Sequence, residues 1–196
     1  SAEGYMSCAT CHVDGSHDGR TYDFTNRGEG FRNTTDLRGR SGTWHGAVHW
    51  SANFDEIQDF ENDIRDGFGG TGFMDAADFV SLMNPLGAPK AGASADLDAL
   101  AAYVASLGTA SIPRSPARNT NGTLSAAALR GADVFAANSC ASCHMPGTDY
   151  TDRLAHDVGT LQASSGQRLG GPLTAIDTPT LLGLHDGAPY LHNGTA

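Results

Sequence analysis

Two stretches of the chain carry a sustained helical rhythm of apolar positions. In Ser94–Gly108, Leu97, Leu100, Tyr103, Val104 and Leu107 fall on one face, with Ser94 placed to cap the start and Gly108 to stop the run. From Ala126 to Ala137, Leu129, Val134 and Phe135 repeat the pattern behind Thr123 or Ser125 as cap. Phe79, Leu82 and Met83 form a shorter patch at the same spacing. Between the two long runs, Thr109–Asn121 holds Pro113 and Pro116 among polar residues and reads as a linker. The pattern predicts a mostly α protein of two units, 1–112 and 113–196.

Composition adds long loops to this picture. A chain of 196 residues with 25 glycines and 39% apolar residues makes small cores wrapped in irregular segments. Its formal charge of −10 disfavours nucleic acid and anionic lipid as partners and favours cationic proteins. No stretch approaches the roughly 18 apolar residues a membrane span needs, and no basic-then-apolar signal opens the chain.

The four cysteines carry the candidate chemistry. All lie in Cys8-Ala9-Thr10-Cys11-His12 and Cys140-Ala141-Ser142-Cys143-His144, so none remains for a structural disulfide. Four cysteines could build a tetrahedral zinc site or two redox dithiols, but neither predicts a histidine directly after the second cysteine, twice. Covalent haem does: each cysteine sulfur takes one porphyrin vinyl group, and the adjacent histidine becomes the proximal iron ligand. Two haem c groups are expected, with His12 and His144 on the irons. Such attachment takes place, as a rule, outside the cytoplasm, which points to a periplasmic or otherwise exported protein.

A second correspondence follows each motif. Arg32-Asn33-Thr34-Thr35-Asp36-Leu37-Arg38-Gly39 matches Ile176-Asp177-Thr178-Pro179-Thr180-Leu181-Leu182-Gly183, and a histidine follows each about ten residues later, His49 and His192. The expected fold is therefore two cytochrome-c-like domains in tandem with long loops, each holding one haem. Domain 1 lacks the opening helix of such a unit, and domain 2 lacks the closing one. The missing helices are expected from another chain or a cleaved segment that stays bound.

These residues resemble the bacterial di-haem cytochrome c peroxidase superfamily over nearly the whole chain. The motif followed by Asp14-Gly15 and Asp18-Gly19, then Arg32-Asn33-Thr34, Asp177-Thr178-Pro179-Thr180-Leu181 and Ala188-Pro189-Tyr190-Leu191-His192-Asn193-Gly194 carry the likeness. The first half fits less well, and Val48–Phe60 is more similar to domains of larger exported relatives. The resemblance implies one haem that receives electrons and a second where an oxidant such as peroxide reacts. It also implies a calcium ion between domains, for which Asp14, Asp18, Asn119 and Asn121 offer oxygens without a dedicated calcium-loop spacing.

The sixth iron ligand decides between electron transfer and chemistry at the iron. For haem one, Met74 on the glycine-rich loop from Gly69 is the first candidate and His49 the alternative, with Met83 behind them. For haem two, Met145 is too close to His144 to reach the opposite face. His156, His185 and His192 remain, with His192 the weak candidate, and the resemblance places the family's methionine beyond Ala196. Glu56, Gln58 and Glu61 are the candidate acid-base groups near haem one. Arg20, Arg27, Arg32, Arg38 and Arg40 are candidates to pair with haem propionates, and Trp44 and Trp50 could line the gap between haems. The reading is an exported di-haem carrier of single electrons between redox proteins. A peroxidase and a module of a larger multi-haem assembly are the alternatives.

Overall fold

The computed structural model describes Ser1 and residues 3–196. In chain order the elements are α1 (Cys8–Cys11), β1 (Thr21–Asp23), β2 (Phe31–Asn33), α2 (Phe60–Asn62), α3 (Ala76–Ser81), α4 (Ala95–Ser106), α5 (Ala126–Ala137), β3 (Ala155–His156), β4 (Gln167–Arg168), β5 (Gly171–Pro172) and β6 (Ile176–Asp177). Short 3-10 turns and loops join them. Both long helices begin where the pattern put them: Ser94 accepts from the Leu97 amide and Ser125 from the Ala128 amide.

The expected fold class, mostly α with two cytochrome-c-like domains in tandem, is corrected by the structure. Only α4 and α5 reach 12 residues. Among the described residues, three antiparallel strand pairs, β1–β2, β3–β6 and β4–β5, stand beside the short helices α1 to α3. Backbone geometry explains the shortfall. Among the described residues, 18 glycines and 10 other residues take positive φ, a conformation in which a right-handed helix cannot continue.

The internal correspondence survives in a different form. Asn33 closes β2 and its counterpart Asp177 closes β6, so in each half the matched segment is a strand paired with an earlier one. The halves then complete each other. The Asn33 amide donates to the His192 carbonyl at 2.7 Å, and the Asp177 amide donates to the Trp50 carbonyl at 3.0 Å. Arg168 adds bonds from Nε to the Ser51 carbonyl and from its terminal nitrogen to that of Ala52. At the tightest approach, Gly30 (φ 80°) and Gly166 (φ 75°) press backbone on backbone: a Cβ on Gly166 would sit 2.5 Å from the Glu29 carbonyl carbon.

The apolar core is small. Met74, Phe79 and Leu97 are buried together, with Leu82, Ala93 and Leu100 packed on them. Beneath α4, Lys90 is fully buried and its Nζ lies 2.6 Å from Oδ1 of buried Asp59. α5 buries none of its side chains and leaves Leu129 and Val134 exposed. The chain's accessible surface is 10535 Å², against about 8,800 Å² for a compact monomer of its mass. Exposed Leu129, Val134, Leu154 and Val158 contribute to the excess.

Candidate haem sites

The first motif forms α1, and the second forms a 3-10 turn, Cys140–Ser142, directly after α5. All four thiols are free; Cys8 is exposed and the other three are partly so. The two histidines are held alike. Nδ1 of His12 lies 3.2 Å from the Ser16 carbonyl, and Nδ1 of His144 lies 2.9 Å from the Tyr150 carbonyl. A carbonyl only accepts, so Nδ1 must carry the proton and Nε2 keeps its lone pair in each ring. That is the state a metal-ligating histidine needs, with its other nitrogen fixed by a backbone partner. Burial lowers the His12 pKa, which favours the same neutral ring. Exposed Met145, Leu154 and Val158 around the second motif supply apolar surface of the kind a porphyrin face covers. The residues present thus fit haem c at both motifs.

His49 is clamped between Phe54 (centroids 4.5 Å) and Phe60 (4.9 Å). Its Nδ1 contacts Asn53 Oδ1 at 2.7 Å, and its Nε2 faces Asp63 Oδ2 at 3.7 Å. The Cys8 thiol is pushed up by loss of solvation first, with the negative charge of Asp63 adding to it. Met74, by contrast, lies in the core, its amide bonded to Glu61 and its carbonyl to Arg65. Met83 is half exposed.

In the second half, His192 is 1% exposed and its Nε2 meets Ser165 Oγ at 2.7 Å. His185 is exposed on a turn, and its neighbour Asp186 holds Arg38 at 2.9 Å. His156 takes Asp152 Oδ2 at 2.7 Å, and both lie with Cys143 in a cluster whose ligand atoms fall within 4.8 Å of one another. Burial opposes ionisation of Asp152, but its bonds from His156 and the Leu154 amide prevail and its pKa is lowered.

The acid-base candidates have structural partners. Glu61, fully buried, binds the Phe73 and Met74 amides and Arg65, fastening the glycine-rich loop. Glu56 accepts from the Lys90 amide, and Gln58 donates to Asp98. Of the arginines, Arg27 pairs with Asp63, Arg32 with Glu29, and Arg38 with Asp36 and Asp186, while Arg20 is exposed. Arg40 spends only Nε, on the Asp36 carbonyl, and burial lowers its pKa to about 10. Trp44 is exposed, and Trp50 donates Nε1–H to the Asn33 carbonyl. Of the calcium candidates, Asp18 binds the Arg20 amide and Tyr22 hydroxyl, and Asn119 and Asn121 bond within their own loop to Thr123.

Nothing in the pattern of residues marks His45. It is 4% exposed and neither ring nitrogen has a hydrogen-bond partner. Burial, then Arg40 and Arg153, push its pKa down to about 4. Buried Asp177, also within reach of Arg40, is pushed up to about 7, by burial first and with Asp152 adding to it. The two have opposite linkage. Asp177 keeps its proton longer folded than unfolded, so its contribution is full below about pH 3.8 and is lost as pH rises through 7. His45 stays neutral when the unfolded chain already binds a proton, so its contribution is full above about 6.5 and is lost as pH falls towards 4. Between pH 4.5 and 6.5 the slopes cancel. Asp177→Asn should gain about 2 kcal/mol across that window as pH rises, and His45→Gln should lose a similar amount. Urea midpoints at both pH values measure this; parallel profiles for both variants and the parent would refute it.

No protein-family model matches the sequence, and no curated protein matches it. A solved structure does. The chain superposes on hydrazine synthase of Kuenenia stuttgartiensis, in a structure pressurised with xenon, with a TM-score of 0.65, covering all of this chain and 70% of that one. The fold is shared with hydrazine synthase. At 24% identity the likeness concerns architecture, and it extends across both motifs and the seam between the halves. Among the described residues no helix is long and apolar enough to cross a membrane.

Proposed function

We propose that this chain is an exported di-haem c-type electron carrier. The observation that carries the reading is the matched pair of histidines, each following two free thiols and each with Nδ1 held by a backbone carbonyl. Cys8, Cys11, Cys140 and Cys143 would hold the two groups by thioether bonds, with His12 and His144 as proximal ligands. When bound, haem supplies an iron that takes up and releases one electron. The chain's part would be to fix each group through its two thioether sulfurs and its proximal histidine. Arg40, with its terminal nitrogens unspent, suits a propionate carboxylate. For haem one, Met74 and His49 stand as the sixth-ligand candidates: Met74 is packed in the core, and His49 Nε2 faces Asp63. The charge of −10, before propionates, suits redox partners with basic surfaces. Assignment to the di-haem peroxidase superfamily rests on Pro189–Gly194 and Arg32–Thr34, and the division near residue 113 belongs to the same reading.

A catalytic reading stands second, supported by a fold shared with an enzyme and by the Asp152–His156 pair beside Cys143, which could hold and pass a proton. Electron paramagnetic resonance of the oxidised and half-reduced protein separates the two. Low-spin signals from both irons in both states are expected of a carrier. A high-spin iron that appears on half reduction and reacts with peroxide would overturn that reading in favour of the enzyme.

A further inference from the structure

α5 stands apart from the rest of the fold. It buries none of its side chains and packs appreciably only on the turn Cys140–Ser142 that follows it. Leu129 is 56% exposed and Val134 61%. A helix of about 12 residues is marginal in water by itself, and helices of that length are held chiefly by a face packed on a neighbour. Half-buried Ala128 and Phe135, seven residues apart, mark the side turned to the body. At 3.6 residues per turn the opposite side carries Ala126, Arg130, Asp133 and Ala137, all exposed, with Leu129 and Val134 on its two flanks.

The charges on that outer face have no partner within the chain. Arg130 and Asp133 are the only charged residues of α5, and neither forms an ion pair with another described residue. They stand three apart, but base before acid is the weaker order for a pair within one helix. Arg130 instead turns a terminal nitrogen to the Ala126 carbonyl at 3.2 Å.

The face is complementary to itself. The midpoint of α5 falls between Gly131 and Ala132, and Arg130 and Asp133 stand equally far on either side of it, as do Leu129 and Val134, and Ala126 and Ala137. A second α5 laid antiparallel about a two-fold axis through that midpoint sets Arg130 of each copy level with Asp133 of the other, and Ala126 level with Ala137. Two ion pairs then form at the centre, the alanines let the helix ends approach, and Leu129 and Val134 close the flanks. A parallel pairing in register would set like charges face to face.

We propose that two copies of this chain associate through the outer face of α5, antiparallel, with Arg130 of each against Asp133 of the other. The inference does not depend on what the two motifs bind. A helix about 18 Å long covers less than the roughly 1,200–2,000 Å² of a lasting interface, so the dimer is a reversible one of micromolar strength, weakened by salt.

Sedimentation equilibrium of the holoprotein, up to the highest soluble concentration, tests this. The parent should pass from monomer to dimer. Arg130→Glu and Asp133→Arg should each weaken dimerisation about ten-fold or more, because like charges then meet across the axis. Mixed in equal amounts, the two variants should recover the parent's affinity: the new glutamate meets the new arginine, and the unaltered Asp133 meets the unaltered Arg130. Both positions are exposed, so helix content by circular dichroism and haem content should hold at parental values. If a single variant loses helix, the double reversal Arg130→Asp with Asp133→Arg, which keeps the face self-complementary, should still dimerise like the parent. A parent that stays monomeric throughout overturns the proposal and leaves α5 to a different protein. A dimer that both single variants leave intact overturns it as well. Loss in both variants without recovery in the mixture or in the double reversal refutes the antiparallel pairing.

Discussion

Serine at both Cys140 and Cys143 is expected to leave one covalent haem per chain instead of two. A thioether needs the thiol sulfur, which serine lacks, and all four cysteines are free and at least partly exposed to meet a vinyl group. The loss should be all or none at that site, read as a halved pyridine haemochromogen absorbance per chain and a mass lower by one haem. Serine at Cys8 and Cys11 should do the same for the other site. His144 would keep its Nδ1 bond to the Tyr150 carbonyl and could still hold iron loosely, so the assay must follow denaturation, when only covalently bound haem stays with the chain. Unchanged haem content in both double variants would defeat the whole functional reading.

The largest change in stability is expected from Lys90→Met. Lys90 Nζ and Asp59 Oδ1 are 2.6 Å apart, at 0% and 1% side-chain exposure. Removing the lysine strands a buried carboxylate, which costs about 3–5 kcal/mol. Asp59 keeps the Asp55 and Glu56 amides as donors, which offsets part of the penalty. Pairing Lys90→Met with Asp59→Asn should return most of the loss, because the uncompensated charge is then gone. Urea unfolding of the two variants checks this: a Lys90→Met loss below about 1 kcal/mol, or a double variant no more stable than the single one, would contradict it.

The sequence made the parts of this protein that follow from local rules easy to read. α4 and α5 declare themselves by serine caps at Ser94 and Ser125 and by apolar spacing, both properties of a dozen neighbouring residues. The two Cys-x-x-Cys-His motifs are equally local. The strand pairs were hidden because each is two or three residues long, too short for alternation to register, and because their last bonds run to residues more than a hundred positions away. Lys90 looked like an ordinary surface charge, and nothing near it in sequence announces Asp59. His45 gains its meaning only from what the fold brings against it. The helical fold class failed for a related reason: glycine content was read as loop length, whereas its effect was to bend the backbone often enough to leave room for only two long helices.

The reciprocal closure of the strand pairs bears on inheritance. Each half finishes its ladder with a carbonyl lent by the other, His192 for β2 and Trp50 for β6. Here the exchange acts as a ratchet: loss of either half would leave the other with an open strand edge and an unmatched glycine at the seam. Selection on one half is thereby selection on both, and the pair passes on as a single hereditary unit.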